Sequence, residues 1–280
     1  LMTAWNKVQT ASLKVSDLRE YLDLPDGGGT GTACAGDHLG HAPEITFDHV
    51  CFRYDGAEQD TLHDISLTFR PGERVALVGM NGAGKTTLVK LLCGLYAPTS
   101  GEIRINGVPA EAFRRDEYYR LFSPVFQDVQ AAFFSLAETV AGNLGEHVDK
   151  ARAEACMRRA GLGKKLDALP RGVDTRLDKQ VNQDGIELSG GEAQKLMMAR
   201  ALYKDAPVLV LDEPTAALDP IAENEIYLRY RDMTAGKTSL FISHRLASTR
   251  FCDRILFLQH GGIAEAGTHE ALLALGGEYA

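Results

Sequence analysis

The chain lacks a long apolar segment and an export signal. Although 45% of its 280 residues are hydrophobic, no uninterrupted apolar run approaches the roughly 18 residues of a membrane-spanning helix. The sequence also has no basic stretch followed by an apolar one, so no secretory signal is predicted. A chain of this length and hydrophobicity is typical of a globular protein with one large domain or two small ones.

The chain has five cysteines, and its basic residues are fewer than its acidic ones. The cysteines are odd in number and contain no C-x-x-C pair, which predicts reduced thiols and a cytosolic setting. They are Cys34, Cys51, Cys93, Cys156 and Cys252. Lys and Arg total 30 residues against 38 Asp and Glu, which leaves a formal net charge of −8. Non-specific nucleic-acid binding needs clustered basic side chains, so we expect no nucleic-acid partner.

One glycine-rich stretch carries a specific chemical signal. GMNGAGKTT fits the phosphate-binding P-loop pattern G-x-x-x-x-G-K-[ST], in which backbone N–H groups and a lysine surround a polyphosphate. The apolar pattern ERVALVG precedes it, and a helix is predicted to begin near Lys85, which gives the strand, loop and helix that the motif requires. We expect a bound nucleotide polyphosphate, with Mg²⁺ held at Thr86. The predicted nucleotide-binding residues of this loop are Gly79, Asn81, Gly82, Ala83, Gly84, Lys85, Thr86 and Thr87.

Two motifs further along the chain narrow the interpretation. LSGGEAQ begins at Leu188, and VLVLDEP ends at Pro214. With the P-loop, they resemble the nucleotide-binding domain of ABC transporters, whose signature sequence lies just upstream of the Walker B strand and glutamate. The resemblance extends from about Glu44 to the end of the chain.

The resemblance implies roles for residues outside the P-loop. The family uses an aromatic side chain to stack on adenine, a Walker B aspartate and a Q-loop glutamine to hold Mg²⁺, and a glutamate to activate the attacking water. It also uses a histidine to sense the γ-phosphate and an aspartate in the D-loop. The matching residues are Tyr54 for the stacking aromatic side chain, Asp212 for the Walker B aspartate, Gln127 for the Q-loop glutamine, Glu213 for the water-activating glutamate, His244 for the γ-phosphate-sensing histidine and Asp219 for the D-loop aspartate. The catalytic set that this implies is Glu213, His244, Gln127 and Lys85.

The signature motif implies a second subunit. A helix N-terminus attracts anions, and in the family this end contacts the γ-phosphate bound to the partner's P-loop. The matching residues are Leu188, Ser189, Gly190, Gly191 and Glu192. We therefore expect a head-to-tail dimer with a second ABC ATPase domain. Whether it is a homodimer or a heterodimer stays open.

Simpler interpretations of the same residues stay open at this point. Two acids after a strand, such as Asp212 and Glu213, often form a solvated loop pair. His244 alone is typical of a packed or surface histidine. Tyr54 also suits a strand tyrosine packed on a sheet face, and Ser189 an ordinary helix cap.

The family resemblance also implies the architecture. We expect an α/β fold of the P-loop NTPase type, with a RecA-like core, an antiparallel β subdomain and a helical subdomain at about 128–187, all within residues 43–280. Turns are predicted at Asn106–Gly107 and at Gly261–Gly262, each between two strand-like segments.

Residues 1–42 differ from the rest. Met2–Leu24 has apolar residues at three- and four-residue spacings, which predicts an amphipathic helix that ends at Pro25. Residues 26–42 are glycine-rich and too poor in large apolar residues to pack, as in a linker. This resembles the junction in exporters that fuse membrane and ATPase domains, although an ordinary surface helix is the alternative. Because the chain starts at Leu1 and stops abruptly, we expect a piece of a longer polypeptide.

The sequence therefore predicts an ATPase domain that powers export, with a transmembrane domain in the same polypeptide and a position on the cytoplasmic side of the membrane. Two alternatives stay open. One is a soluble ABC ATPase that works on ribosomes or DNA, and the other is a catalytically inactive nucleotide-binding regulatory module.

Overall fold

The computed structural model describes most of the chain. The described residues are 15, 16, 19, 22, 23, 31–38, 42–126, 134–179, 181–212, 229–243, 249 and 251–280. The predicted helix at Met2–Leu24 lies almost wholly outside them. In the part of the chain that is described, no helix is both long and apolar enough to cross a membrane.

Within the described residues, ten strands form two sheets. The strands are β1 (Ile45–Phe52), β2 (Leu62–Phe69), β3 (Arg74–Gly79), β4 (Ser100–Ile105), β5 (Val108–Pro109), β6 (Phe122–Val125), β7 (Val208–Asp212), β8 (Thr238–Ile242), β9 (Arg254–Gln259) and β10 (Gly262–Gly267). The first sheet is antiparallel, in the order β2-β1-β4-β5. The second has the order β10-β9-β3-β8-β7-β6 and is parallel except for β10.

The helices lie between and around these strands. Those in the described part of the chain are α1 (Ala35–His38), α2 (Lys85–Leu92), α3 (Arg115–Arg120), α4 (Leu136–Ala141), α5 (Lys150–Arg159), α6 (Gly163–Asp167), α7 (Gly190–Lys204) and α8 (His269–Leu275). Short 3-10 turns lie at Ala110–Ala112, Gly145–His147 and Gly172–Asp174. The predicted helical region thus contains α4, α5 and α6 and leads into α7.

The parallel sheet is buried on both faces. Along β7, Val208 and Val210 join a core formed with the antiparallel sheet and α2, whereas Leu209 and Leu211 join a core formed with α4, α5 and α7. Side chains of a strand alternate between faces, so one short apolar run serves both cores. This explains why β7 reads as a continuous apolar stretch.

The five cysteines are free, as their scattered positions predicted. Burial raises the pKa of the Cys93 thiol, just after α2, to about 12. Burial likewise raises the pKa of Cys252 to about 12. These two thiols stay protonated at neutral pH and are poor nucleophiles.

Two elements differ from the sequence-based expectation. The second hairpin turns at His260–Gly261, both with positive φ, because Gln259 already pairs with Gly262. The predicted turn at Gly261–Gly262 was therefore one residue late. The sequence analysis also predicted no strand at β6, which contains Pro124. Among the strands of the described residues, β6 lies at the edge of its sheet and pairs only with β7, and an edge strand tolerates proline.

Residues 31–38 pack against the domain, although their composition predicted an unpacked linker. The amide of Ala33 donates to the carbonyl oxygen of Ala112 at 2.9 Å, and the amide of Ala35 donates to the Glu117 carboxylate at 3.1 Å. These contacts use the backbone, so they do not need large apolar side chains. The predicted domain boundary at residues 42 and 43 stays a prediction.

Leu209→Ala tests the core that joins the helices to the sheet. Leu209 is 2% exposed, so we expect the truncation to leave a cavity and lower the free energy of unfolding by about 2–5 kcal/mol. Urea denaturation measures the change. Leu273→Ala, at a 45% exposed position of α8, is the control and should change stability by less than about 0.5 kcal/mol. Equal losses in the two variants would contradict this description of the core.

Candidate nucleotide-binding site

The glycine-rich loop lies where β3 ends and α2 begins. β3 is buried from Val75 to Val78, and the loop follows directly from Gly79. Lys85 is the first residue of α2, so the loop amides precede a helix N-terminus. Backbone N–H groups at such a point favour anions. The structure therefore provides the strand, loop and helix that the sequence predicted.

Two glycines of this loop are required by their surroundings. A Cβ atom at Gly79 would overlap the carbonyl oxygen of Leu258 in β9. Gly84 has φ of 103° and would place a Cβ 2.7 Å from Cδ2 of Leu62. Gly79 is needed because a side chain there would meet the β9 backbone, and Gly84 is needed because its positive φ is one that other residues rarely adopt.

Lys85 is held inside the loop. Its Nζ atom donates to the carbonyl oxygens of Gly79 at 2.9 Å and Met80 at 3.0 Å. The residue is only 5% exposed. A buried ammonium group interacts strongly with a nearby anion, because the local dielectric constant is lower than that of water.

Asp212 ends a strand at the same edge of the sheet. Leu77 of β3, Ile242 of β8 and Asp212 of β7 lie side by side in register. Parallel strands point the same way, so their carboxyl ends meet at one edge. Asp212 is 2% exposed. A buried carboxylate therefore lies at the sheet edge that also carries the glycine-rich loop.

Tyr54 lies beside the start of α2. Its hydroxyl oxygen is 3.0 Å from the hydroxyl oxygen of Thr87, which is within hydrogen-bonding distance. Tyr54 is half-buried and packs against the core of the antiparallel sheet. The sequence alone allowed either a packed strand tyrosine or a tyrosine near the nucleotide. In the structure, the Tyr54 ring packs against the edge of the core and also lies next to α2, the helix that follows the P-loop.

The other members of the predicted nucleotide-binding set differ in exposure. Asn81, Gly82 and Thr86 are exposed, whereas Ala83 and Thr87 are buried. Thr86 therefore lies at the surface, one residue after the buried lysine.

The signature motif caps α7. The Ser189 hydroxyl accepts from the Glu192 amide at 3.3 Å, and the Glu192 carboxylate accepts from the Ser189 amide at 3.0 Å. Lys165 of α6 also bonds Glu192, at 3.0 Å. Burial raises the pKa of Glu192, but these hydrogen bonds outweigh it and hold the pKa below its usual value. The carboxylate thus stabilises the fold at neutral pH, and this contribution is lost as the pH falls through the lowered pKa.

Ser189 differs from a second serine with the same local geometry. Ser135 also forms a capping box, with Glu138, at the start of α4. Ser135 is 7% exposed, whereas Ser189 and Gly190 are exposed. Leu188 and Gly191, on either side, are half-buried. The two caps are equivalent for helix stability, but Ser189 is open to another molecule.

The P-loop helix and the signature helix lie on opposite faces of the parallel sheet. Leu88 and Leu92 of α2 belong to the core shared with the antiparallel sheet, whereas Leu196 and Ala199 of α7 belong to the core of the helical region. The sheet separates the two. The P-loop and the signature motif therefore begin helices that pack on different faces of this sheet.

Four predicted site residues lie outside the described residues. They are Gln127, Glu213, Asp219 and His244. The chain reaches Glu213 directly after Asp212, and it reaches His244 directly after Ser243, whose amide donates to the carbonyl oxygen of Leu77 at 3.4 Å. The strands that lead to these two residues thus end at the edge that carries the P-loop.

Sequence reasoning missed two residues that touch the predicted site residues. Lys165 pairs with Glu192 of the signature, and the Tyr96 ring lies 5.5 Å from that of Tyr54. Neither residue belongs to a motif, and each contact joins distant parts of the chain. No signal in a single sequence marks them.

Comparison with known proteins supports the resemblance. The family model described as ABC transporter matches residues 62–216. The ATP-dependent lipid A-core flippase of Burkholderia pseudomallei (strain 1710b) is 42% identical over 276 residues, which are 97% of this chain and 44% of the flippase. The flippase of Alkalilimnicola ehrlichii is 43% identical over 236 residues, which cover 84% of this chain and 39% of that protein.

A solved structure is similar over almost the whole chain. It is that of a bacterial Atm1-family ABC exporter with ATP bound, with a TM-score of 0.81 and 30% sequence identity. The match covers 98% of this chain and 47% of that protein. This chain thus spans less than half the length of the relatives that it matches.

Gly79→Ala tests the close approach between the loop and β9. The added Cβ must displace either the loop or the Leu258 carbonyl, so we expect the free energy of unfolding to fall by about 2 kcal/mol or more. Gly36→Ala is the matched control, because a Cβ there meets nothing within 4 Å. Urea denaturation compares the two variants, and equal midpoints would contradict the described loop geometry.

Proposed function

This chain belongs to the ABC transporter family, and we propose that it binds and hydrolyses Mg-ATP to power the export of a substrate across a membrane. The chain is the ATPase domain of such a protein. One observation carries the proposal most directly: a buried lysine in a glycine-rich loop lies at the sheet edge that also carries a buried aspartate.

The P-loop would hold the triphosphate. Phosphoryl transfer depends mainly on positioning and on stabilising charge. Lys85 and the loop amides from Gly79 to Thr87 would supply that charge, with Asn81, Gly82, Ala83 and Gly84 bringing the backbone close to the phosphates. The Tyr54 ring would stack on adenine. Its hydrogen bond to Thr87 supports this, because it places the ring beside the phosphate loop.

Three oxygen-bearing side chains would hold Mg²⁺. Thr86 is an exposed residue that carries a hydroxyl at the start of α2, and Asp212 offers a buried carboxylate at the end of β7. Gln127 would be the third ligand. Hydroxyl, carboxylate and amide oxygens suit this cation, which when bound neutralises charge on the phosphates.

Two further residues would complete hydrolysis, and Gln127 would have a second role. Glu213 would accept a proton from the attacking water, His244 would bond the γ-phosphate, and Gln127 would report the state of the nucleotide to the helical region. The positions of Asp212 and Ser243 support the first two assignments, because β7 and β8 end in register at the P-loop edge.

The second half of each site would come from a second ABC ATPase domain. We propose that Leu188–Glu192 of one copy contacts the γ-phosphate bound to the other, in a head-to-tail dimer that also involves Asp219. The exposure of Ser189 and the placement of α2 and α7 on opposite faces of the sheet support this arrangement. ATP would then favour the closed dimer, and hydrolysis would remove the shared contact.

Dimer closure would drive a transmembrane domain between two states. We propose that this domain precedes residues 1–42 in the same polypeptide and that the ATPase domain works on the cytoplasmic side of the membrane. Relatives named as a flippase and an exporter, each more than twice as long as the matched region, support this proposal. They favour it over a soluble ATPase that acts on ribosomes or DNA.

Ser189→Ala tests the composite site. We expect the variant to bind ATP normally as a monomer but to hydrolyse it about tenfold or more slowly, because a hydrogen bond to a charged phosphate is lost. Lys85→Ala is the comparison, since it should weaken ATP binding itself. Calorimetric titration gives the affinity, and phosphate release gives the rate.

Ser135→Ala is the matched control for this experiment. It removes the same type of capping box, worth about 1 kcal/mol of helix stability, at a buried position away from the signature. Its hydrolysis rate should stay within about twofold of the unmodified chain, since only a cap is lost. A normal rate in Ser189→Ala, or an equal loss in both serine variants, would count against a signature that completes a partner's site.

A further inference from the structure

The ring of Tyr54, which the proposed function assigns to adenine, lies beyond the strand that leads to it. β1 ends at Phe52, so ladder hydrogen bonds do not set the position of Tyr54. Its carbonyl accepts from the Ala57 amide at 3.0 Å, within a turn. If the Tyr54 ring became ordered only on ligand binding, the entropy cost of that ordering would lower the affinity for the ligand. Contacts that fix the ring beforehand therefore matter for binding a base.

Thr87 holds one end of the ring. The two hydroxyl oxygens are 3.0 Å apart, and Thr87 is 6% exposed, two residues after Lys85. The hydrogen bond therefore ties the tip of the Tyr54 side chain to the helix that begins at the phosphate loop.

Tyr96 and Phe52 fix the plane of the ring. The Tyr54 and Tyr96 rings are 5.5 Å apart at 86°, and the Tyr54 and Phe52 rings are 4.9 Å apart at 84°. Perpendicular aromatic pairs are favoured by the ring quadrupoles. Rotation of the Tyr54 ring would lose both arrangements together.

The Tyr96 ring is itself held in place. The Lys90 Nζ atom lies 5.5 Å from its centroid, a cation–π distance. On one side of Tyr96, the Leu95 amide donates to the Lys90 carbonyl at 2.9 Å; on the other, the Thr99 amide donates to the Cys51 carbonyl at 2.8 Å. The loop that carries Tyr96 is thus attached both to the P-loop helix and to β1.

We infer that Tyr96 is a positioning residue for nucleobase recognition, which holds the Tyr54 ring, together with the Thr87 hydrogen bond, in the orientation that receives the base. The inference rests on the proposed stacking role of Tyr54. Tyr96 acts through Tyr54, so it raises affinity for ligands that carry a base and leaves affinity for the phosphate chain unchanged.

The test compares ATP with inorganic tripolyphosphate, which lacks the base. Calorimetric titration of both ligands with Mg²⁺ gives, for each variant, the ratio of the two dissociation constants. Tyr54→Ala should reduce the advantage of ATP by about tenfold, the usual effect of losing one stacked base. Tyr96→Ala should reduce it about threefold to fivefold, with tripolyphosphate affinity unchanged. Tyr96→Phe keeps the ring, so it should stay within about twofold of the unmodified chain.

The outcomes separate this inference from the proposed function. If Tyr54→Ala lowers the ratio and Tyr96→Ala does not, the stacking role stands and the positioning role of Tyr96 is wrong. If Tyr54→Ala leaves the ratio unchanged, the stacking role fails and the inference fails with it.

Tyr96 is 38% exposed, so we expect its variants to fold, and a thermal melt checks this. Tyr54→Phe gives a second test that keeps both rings. It should lower the ratio about threefold through loss of the Thr87 bond, and an unchanged ratio would overturn that part of the inference.

Discussion

Burial of both faces of the parallel sheet is the constraint on which the rest of the structure depends. Four consecutive residues of β7, Val208 to Leu211, divide between two cores, and neither face of that strand meets solvent. Polar groups can then gather only where the strands end. Gly79, Asp212 and Ser243 come to that edge from three neighbouring strands. The proposed ATP site follows from the topology of the sheet before any single contact is considered.

The same sheet explains why, in the proposed mechanism, a single copy of the chain does not form a complete site by itself. The P-loop helix packs on one face and the signature helix on the other. The capping boxes at Ser135 and Ser189 are alike in hydrogen bonding, yet only Ser189 is exposed. A helix cap alone requires no such exposure, whereas contact with a second subunit does. The difference between the two serines is therefore the structural feature that most favours a functional signature.

Local patterns in the sequence predicted much of this architecture. β3, β7 and the start of α2 were predictable because apolar runs and the P-loop pattern are short-range signals. The Asn106–Gly107 turn is confirmed, with positive φ at both residues. The roles of all the predicted site residues stay predictions, and Gln127, Glu213, Asp219 and His244 also lie outside the described residues.

What the sequence did not predict depends on long-range contacts. No strand was predicted at β6, because it contains Pro124 and a strand tolerates proline only at a sheet edge. The packing of residues 31–38 depends on Glu117, 82 positions after Ala35. The contact between Tyr54 and Tyr96 joins two segments that no motif connects.

The most direct test of the proposed two-copy site is light scattering on Glu213→Gln with and without Mg-ATP. This variant should bind ATP without cleaving it, so the account predicts a monomer without nucleotide and a dimer with it. A monomer under both conditions, with ATP bound, would contradict the claim that two copies complete each site.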